Sequence, residues 1–171
     1  INGNTINVRF AKKGEKFRTL DKIERKLDDF HLLICDDEKP VALAGIMGGV
    51  NSEITESTTD ILLEGAYFNP SVVRKGAKAL DLSTEASRRF ERDTDIDGVI
   101  PAIDQLAQLI CELSGGTALK GIVDEYPQKH DPNIVHFSME RCNLLLGIDL
   151  DENEYNRIFI SLQIAVEKKN G

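Results

Sequence analysis

Between Val41 and Arg92 the chemistry of the chain changes three times, and no single regular element can hold all of it. Val41-Ala42-Leu43-Ala44 is an apolar run of strand length that ends in Gly45-Ile46-Met47-Gly48-Gly49. Ile61-Leu62-Leu63 is a second short apolar run, and it stops on a lone carboxylate, Glu64. Asn69-Pro70 then supplies an N-cap residue with proline at the first helical position, and Thr84 supplies a second N-cap. Strands that end in turns and give way to capped helices predict a mixed α/β chain, with backbone donors and one acid able to converge.

The flanking segments extend this reading. Thr5 to Phe10 alternates like a half-buried strand after a turn at Asn2-Gly3, and residues 11–30 hold a loop or short hairpin. His31 to Cys35 and Val41 to Ile46 read as antiparallel neighbours joined by the turn-forming Asp36 to Pro40. Asn51 to Asp60 is a surface loop, and Ile61-Leu62-Leu63 is expected as a further buried strand. Helices are expected from Pro70 to about Ala79, from Thr84 to about Arg92, and after Asp97. In the last, Val99, Ile103, Leu106, Ala107, Ile110 and Leu113 recur at helical spacing until Gly115-Gly116. That third helix is expected to pack against the sheet, and Ala118 to Tyr126 to add one more strand. The fold class is therefore α+β, a mainly antiparallel sheet flanked by helices.

Residues 128–133 read as a linker, polar and proline-containing. A second unit over 134–171 is expected to open with a strand, Ile134 to Phe137. Ser138 caps a short helix that Gly147 stops, and Asp151 with Glu154 opens another carrying Tyr155, Ile158, Phe159 and Leu162. Gln163 to Gly171 reads as the start of a strand. A unit of about 40 residues without a staple is too small for its own core, so it reads as an incomplete small helical domain. Both ends of the chain are expected to be cuts in a longer one.

A net charge of −8 argues against a freestanding nucleic-acid binder, which needs a basic face, but not against a domain that receives one end of an RNA held elsewhere. No run nears the roughly 20 apolar residues of a membrane span, and the first residues lack a signal-peptide layout, so a cytoplasmic protein is expected. Cys35, Cys111 and Cys142 stand far apart and read as buried thiols, while His31, His130 and His136 lack ligand spacing, so no metal site is expected. No Ser-His-Asp or Cys-His arrangement is visible, and no catalytic side chain is assigned. The glycines at 45, 48 and 49 let a ligand approach the backbone, or merely end a strand. They lack the GxGxxG order and the Lys-Ser/Thr of a phosphate loop. Glu64, set among apolar neighbours, must be paired, hydrogen-bonded or solvated in a cleft. An ion pair with Arg74, Arg88, Arg89 or Arg92 and a ligand contact both remain open. Arg88, Arg89 and Arg92 form a solvated face or meet RNA phosphate.

Three motifs, Ala44-Gly45-Ile46-Met47-Gly48-Gly49, Leu62-Leu63-Glu64-Gly65-Ala66-Tyr67-Phe68-Asn69-Pro70 and Ser83-Thr84-Glu85-Ala86-Ser87-Arg88-Arg89-Phe90-Glu91-Arg92, resemble in order and spacing those of one family. That family is the editing domain in the β subunit of bacterial phenylalanyl-tRNA synthetase. Residues 1–127 resemble the editing domain, and Arg141 to Gly147 resembles the start of the small domain that follows it. The resemblance implies hydrolytic proofreading of tyrosine mischarged onto phenylalanine tRNA, in an enzyme that attaches phenylalanine using ATP and Mg2+. It implies an α subunit as partner, in a heterotetramer of two α and two β chains, and no cofactor in this stretch. By motif, Gly48, Glu64, Thr84 and Ala86 would shape the editing pocket, and Glu64 would accept a hydrogen bond from the tyrosyl hydroxyl. A histidine motif upstream contributes to the family's site, so weak or no activity is expected from this stretch alone. The chain departs from the family at Glu85, where Asp is common, at Ser83, where His is common, and at Asp93-Thr94-Asp95, where a glycine is usual. A non-catalytic interaction module of the synthetase and a stand-alone deacylase are the alternatives.

Overall fold

Strand β1 (Asn7–Phe10) pairs antiparallel with a later strand, skipping a two-stranded hairpin made of β2 (Lys16–Arg18) and β3 (Glu24–Lys26). Its partner is β4 (Leu32–Cys35), which pairs in turn with β5 (Pro40–Leu43), and β5 with the short β6 (Met47–Gly48). The resulting antiparallel sheet has the order β1-β4-β5-β6. Register places Leu33 opposite Leu43 and Ala42 opposite Gly48, with an irregularity between Ile34 and Cys35. The computed structural model describes residues 1–129, 131 and 133–168. The expected turn-and-strand reading of residues 31–46 holds, and the ambiguous 11–30 segment is the hairpin.

The core lies under this sheet. Leu27, Leu33, Leu43 and Val73 are almost wholly buried, each contributing about 1.5–3 kcal/mol of burial. Helix α1 (Pro70–Ala79) begins where Asn69 Oδ1 accepts the Ser71 and Val72 amides, and it buries Val73, Gly76 and Ala77, one face at helical spacing. A methyl at Gly76 would meet Ile46 Cδ1 at 3.2 Å, so the helix lies close over the turn before β6. His31 is buried at the same place. Its Nδ1 accepts the Asp28 amide at 3.0 Å, and its Nε2 has no partner among the described residues.

Helix α2 (Glu85–Phe90) follows Thr84, and α3 (Val99–Ser114) ends on Gly115 in the left-handed conformation, as the glycine pair predicts. None of α3's residues is buried, so it does not pack onto the sheet as α1 does. Its Val99 and Ile103 lie instead against Gly65.

Two expected strands in this region are absent. Ile61-Leu62-Leu63 forms no strand, and Ile61 and Leu62 are exposed. Ala118 to Tyr126 is also without strand structure, with Leu119 and Val123 almost fully exposed. An apolar run becomes a strand only if a neighbour offers it a ladder, and none of the described strands pairs with either run.

The chain divides into two units, Ile1–Lys120 and Gly121–Gly171. In the second, Ser138 caps α4 (Met139–Leu146), Gly147 ends it in the left-handed region, and Asp151 caps α5 (Glu152–Ser161) through the Glu154 amide. Asn143 clamps the turn between them, exchanging bonds with the Leu150 amide and carbonyl and accepting from the Tyr155 hydroxyl. Tyr155 packs edge-on against Phe137 at 5.1 Å. Ile134 to Phe137 and Gln163 to Lys168 are not strands. His130 and Pro132 of the 128–133 linker, and Lys169 to Gly171, lie outside the described residues. Among the described residues no helix is long and apolar enough to cross a membrane.

Candidate functional site

Three segments far apart in sequence meet at Gly45. Its φ of +66° lies in the left-handed region, and a Cβ there would come within 3.0 Å of both Phe68 and Val73 and 3.4 Å of Phe90. Phe68 and Phe90 in turn meet edge to face at 5.0 Å. The glycine turn, the segment after Glu64 and helix α2 are thereby packed around one position that only glycine fits.

A hydrogen bond reinforces this junction. Thr84 Oγ1 donates to the Ile46 carbonyl at 2.7 Å and accepts the Ser87 amide at 3.0 Å. The Thr84 amide donates to Ser87 Oγ at 2.9 Å, completing a capping box. Thr84 was legible as an N-cap. Ser87, three residues after Thr84, stands at the spacing that signals a reciprocal cap.

Gly48 lies in β6, where its carbonyl accepts the Leu20 amide at 3.0 Å and a Cβ would meet Leu20 Cδ1 at 3.2 Å. The absence of a side chain at Gly48 therefore makes room for Leu20 of the hairpin. Gly49 is tighter still, its would-be Cβ lying 2.7 Å from Phe17 and 2.8 Å from the Val41 carbonyl. Ala86 is half-buried on α2.

Glu64 has no ion pair and no hydrogen bond among the described residues, so the bridge to Arg74, Arg88, Arg89 or Arg92 is not formed. The residue is exposed overall, yet burial raises its carboxyl above the ordinary carboxylate range. The accessible surface decides that solvent reaches the group, while the protein around it makes its charge costly. An exposed carboxylate with no partner among the described residues is able to accept a hydrogen bond from a ligand.

Beside α2 lies a concavity of about 750 Å³ lined by Arg88, Arg89 and Arg92 together with Glu85, Glu91, Asp93 and Asp95. A smaller one of about 280 Å³, touching Arg74 and Lys78, adjoins it at Ser83 and Glu91. Neither is lined by Gly48, Glu64, Thr84 or Ala86. Arg88 and Arg89 each reach Glu85 at 3.8 Å, exposed contacts worth about 0–1 kcal/mol. Arg88 Nε also donates to Ser83 Oγ at 3.0 Å. Arg92 forms no ion pair among the described residues. Cys35 is buried and Cys111 and Cys142 are half-buried, all as free thiols. No group of three His, Cys, Asp or Glu among the described residues could hold a metal ion.

Residues 1–115 match the family described as the B3/4 domain, and the chain belongs to that family. Over 164 residues it is 51% identical to a phenylalanine–tRNA ligase β subunit of Geobacter metallireducens, covering 96% of this chain and 20% of that protein. The β subunit of Geobacter sulfurreducens is 50% identical over 96% of the chain and 21% of its own length, and that of Syntrophus aciditrophicus 48% identical over 97% and 21%. The chain thus spans about a fifth of the length of the curated relatives it matches.

Proposed function

We propose that this chain is the proofreading portion of a phenylalanine–tRNA ligase β subunit, where tyrosine mischarged onto phenylalanine tRNA is hydrolysed from its ester. The observation that carries this reading is Glu64, a carboxylate with no partner among the described residues, on a segment that packs at Gly45 with the glycine turn and with α2. A phenol can donate to such an acid and a phenyl ring cannot. The correct product would leave the carboxylate unpaired, and a site built this way can discriminate by roughly 10⁴-fold or more.

In this reading Gly48, Thr84 and Ala86 wall the tyrosyl ring. Thr84 offers its methyl, since its hydroxyl proton is committed to the Ile46 carbonyl. The hydrolytic water is oriented by backbone groups and by the ribose hydroxyl of the tRNA, and this stretch alone hydrolyses weakly or not at all. Arg88, Arg89 and Arg92 meet RNA phosphates near the tRNA end. Residues 1–127 form the editing domain, 128–133 a linker and 134–171 the start of the next domain. The full enzyme is a cytoplasmic heterotetramer of two α and two β subunits that charges tRNA with ATP and Mg2+. Among the described residues no group of three His, Cys, Asp or Glu could hold a metal ion, and the glycine turn carries no Lys-Ser/Thr, so both groups are assigned to the rest of the enzyme.

A purely structural role is the second reading, favoured by the internal packing at Gly48 and Gly49. Deacylation of tyrosyl-tRNA for phenylalanine by the full-length two-subunit enzyme separates the two. The Glu64→Ala enzyme should lose deacylation by at least about tenfold, and an unchanged rate rejects the proofreading reading.

A further inference from the structure

Thr84 has one hydroxyl proton and two acceptor lone pairs. One lone pair takes the Ser87 amide, and the amide of Thr84 is satisfied by Ser87 Oγ, so the cap of α2 is already closed. An N-cap needs only an acceptor. The proton nevertheless goes elsewhere, to a carbonyl 38 positions back at Ile46, a residue whose side chain is buried beneath α1. That bond contributes nothing to capping. It falls two positions before Gly48 on one side and two before Ala86 on the other, so it joins the two walls assigned to the tyrosyl ring.

We propose that Thr84 is a positioning residue of the proofreading site, its hydroxyl proton tying the Gly45–Gly49 turn to α2 and so setting the spacing between Gly48 and Ala86. This rests on the proofreading reading above. Misplacing bound groups by even an ångström is felt mainly in the chemical step, so the loss should appear in kcat more than in KM.

Four variants of the two-subunit enzyme test it, each checked for folding by its thermal melt. Thr84→Val keeps the shape and removes both side-chain bonds. Thr84→Asp keeps an N-cap acceptor and has no proton to give at neutral pH, so it remains informative if the valine variant fails to fold. Thr84→Ser keeps both bonds, and Ser87→Ala removes the reciprocal cap while leaving the tie. In deacylation of tyrosyl-tRNA, kcat should fall at least about tenfold in the valine and aspartate variants, stay within about threefold in Ser87→Ala, and fall less in the serine variant, which keeps the tie and loses only the methyl, than in the valine variant. Wild-type kcat in Thr84→Asp overturns the proposal. A loss in Ser87→Ala equal to that in Thr84→Val also overturns it, because the role would then be capping alone. Run beside these, Glu64→Ala separates the failures: loss there with none at Thr84 sinks only this inference, while no loss at Glu64 sinks the proofreading reading itself.

Discussion

Thr84 and Ile46 are joined by a 2.7 Å hydrogen bond from side-chain hydroxyl to main-chain carbonyl, and the same hydroxyl oxygen receives the Ser87 amide. The threonine therefore serves two elements with one atom, and its removal should cost more than loss of a cap. Ser87→Ala should lower unfolding free energy by about 1 kcal/mol, as cap deletions do. Thr84→Ala should lower it by about 2–3 kcal/mol, because the Ile46 carbonyl is also left unpaired. Urea unfolding of the two variants checks the difference, and equal losses contradict the double role.

Gly45 should tolerate no side chain. Gly45→Ala places a methyl 3.0 Å from Phe68 and Val73 on a backbone already at positive φ. Overpacking of this kind costs about 1–3 kcal/mol, and a left-handed non-glycine residue adds to it. A thermal melt that matches the parent chain would contradict the packing described.

Glu64 differs from most half-enclosed acids in having nothing to lose. Because its folded pKa is raised, the ionised form is disfavoured in the folded state. Stability should accordingly fall as pH rises from the ordinary glutamate value through the raised one. Glu64→Gln should remove that fall without lowering stability at neutral pH. Melting temperature against pH for both chains measures it, and a glutamine variant less stable than the parent at neutral pH would show a partner that the geometry lacks.

Asp36 shows the opposite sign. Its carboxylate accepts the Asn2, Glu38 and Lys39 amides at 2.8, 2.9 and 2.8 Å, and these bonds hold its pKa at about 2. The contribution is complete above the unfolded value of 3.8 and drains away as pH falls toward about 2. Asp36→Asn should be less stable than the parent at neutral pH, and the gap should close with acidification across that window.

Ala86 is half-buried on α2, two residues past the Thr84 tie. Ala86→Trp should abolish tyrosyl-tRNA deacylation by filling the place of the substrate ring. Unchanged deacylation would remove Ala86 from the site.

The helices were legible because each carries a local signal at one end or both. Asn69-Pro70, Thr84, Ser138 and Asp151 mark the N-termini and Gly115 and Gly147 the ends of α3 and α4, all where expected. A helix satisfies its backbone internally, so local chemistry suffices. Strands depend on a neighbour, and the failures fall there: Ile61 to Leu63, Ala118 to Tyr126 and Ile134 to Phe137 have strand composition and no ladder. For the site, the three motifs were visible as sequence. Their meeting at Gly45, and the use of Thr84's proton on Ile46, depend on contacts across the chain that spacing does not encode.

Strand β1 reverses the usual rule of alternation. Val8 and Phe10 face outward, each 52% exposed, while Arg9 shares a face with the fully buried Leu33 opposite it and forks onto Glu15 at 2.8 and 3.0 Å. Sliding this strand by one residue would pull Arg9 from Glu15 and the Asn4 amide and Thr5 hydroxyl from Asp37, so polar contacts fix its alignment. A partly buried ion pair is screened far less than an exposed one, so this margin of the sheet should keep its register as salt rises.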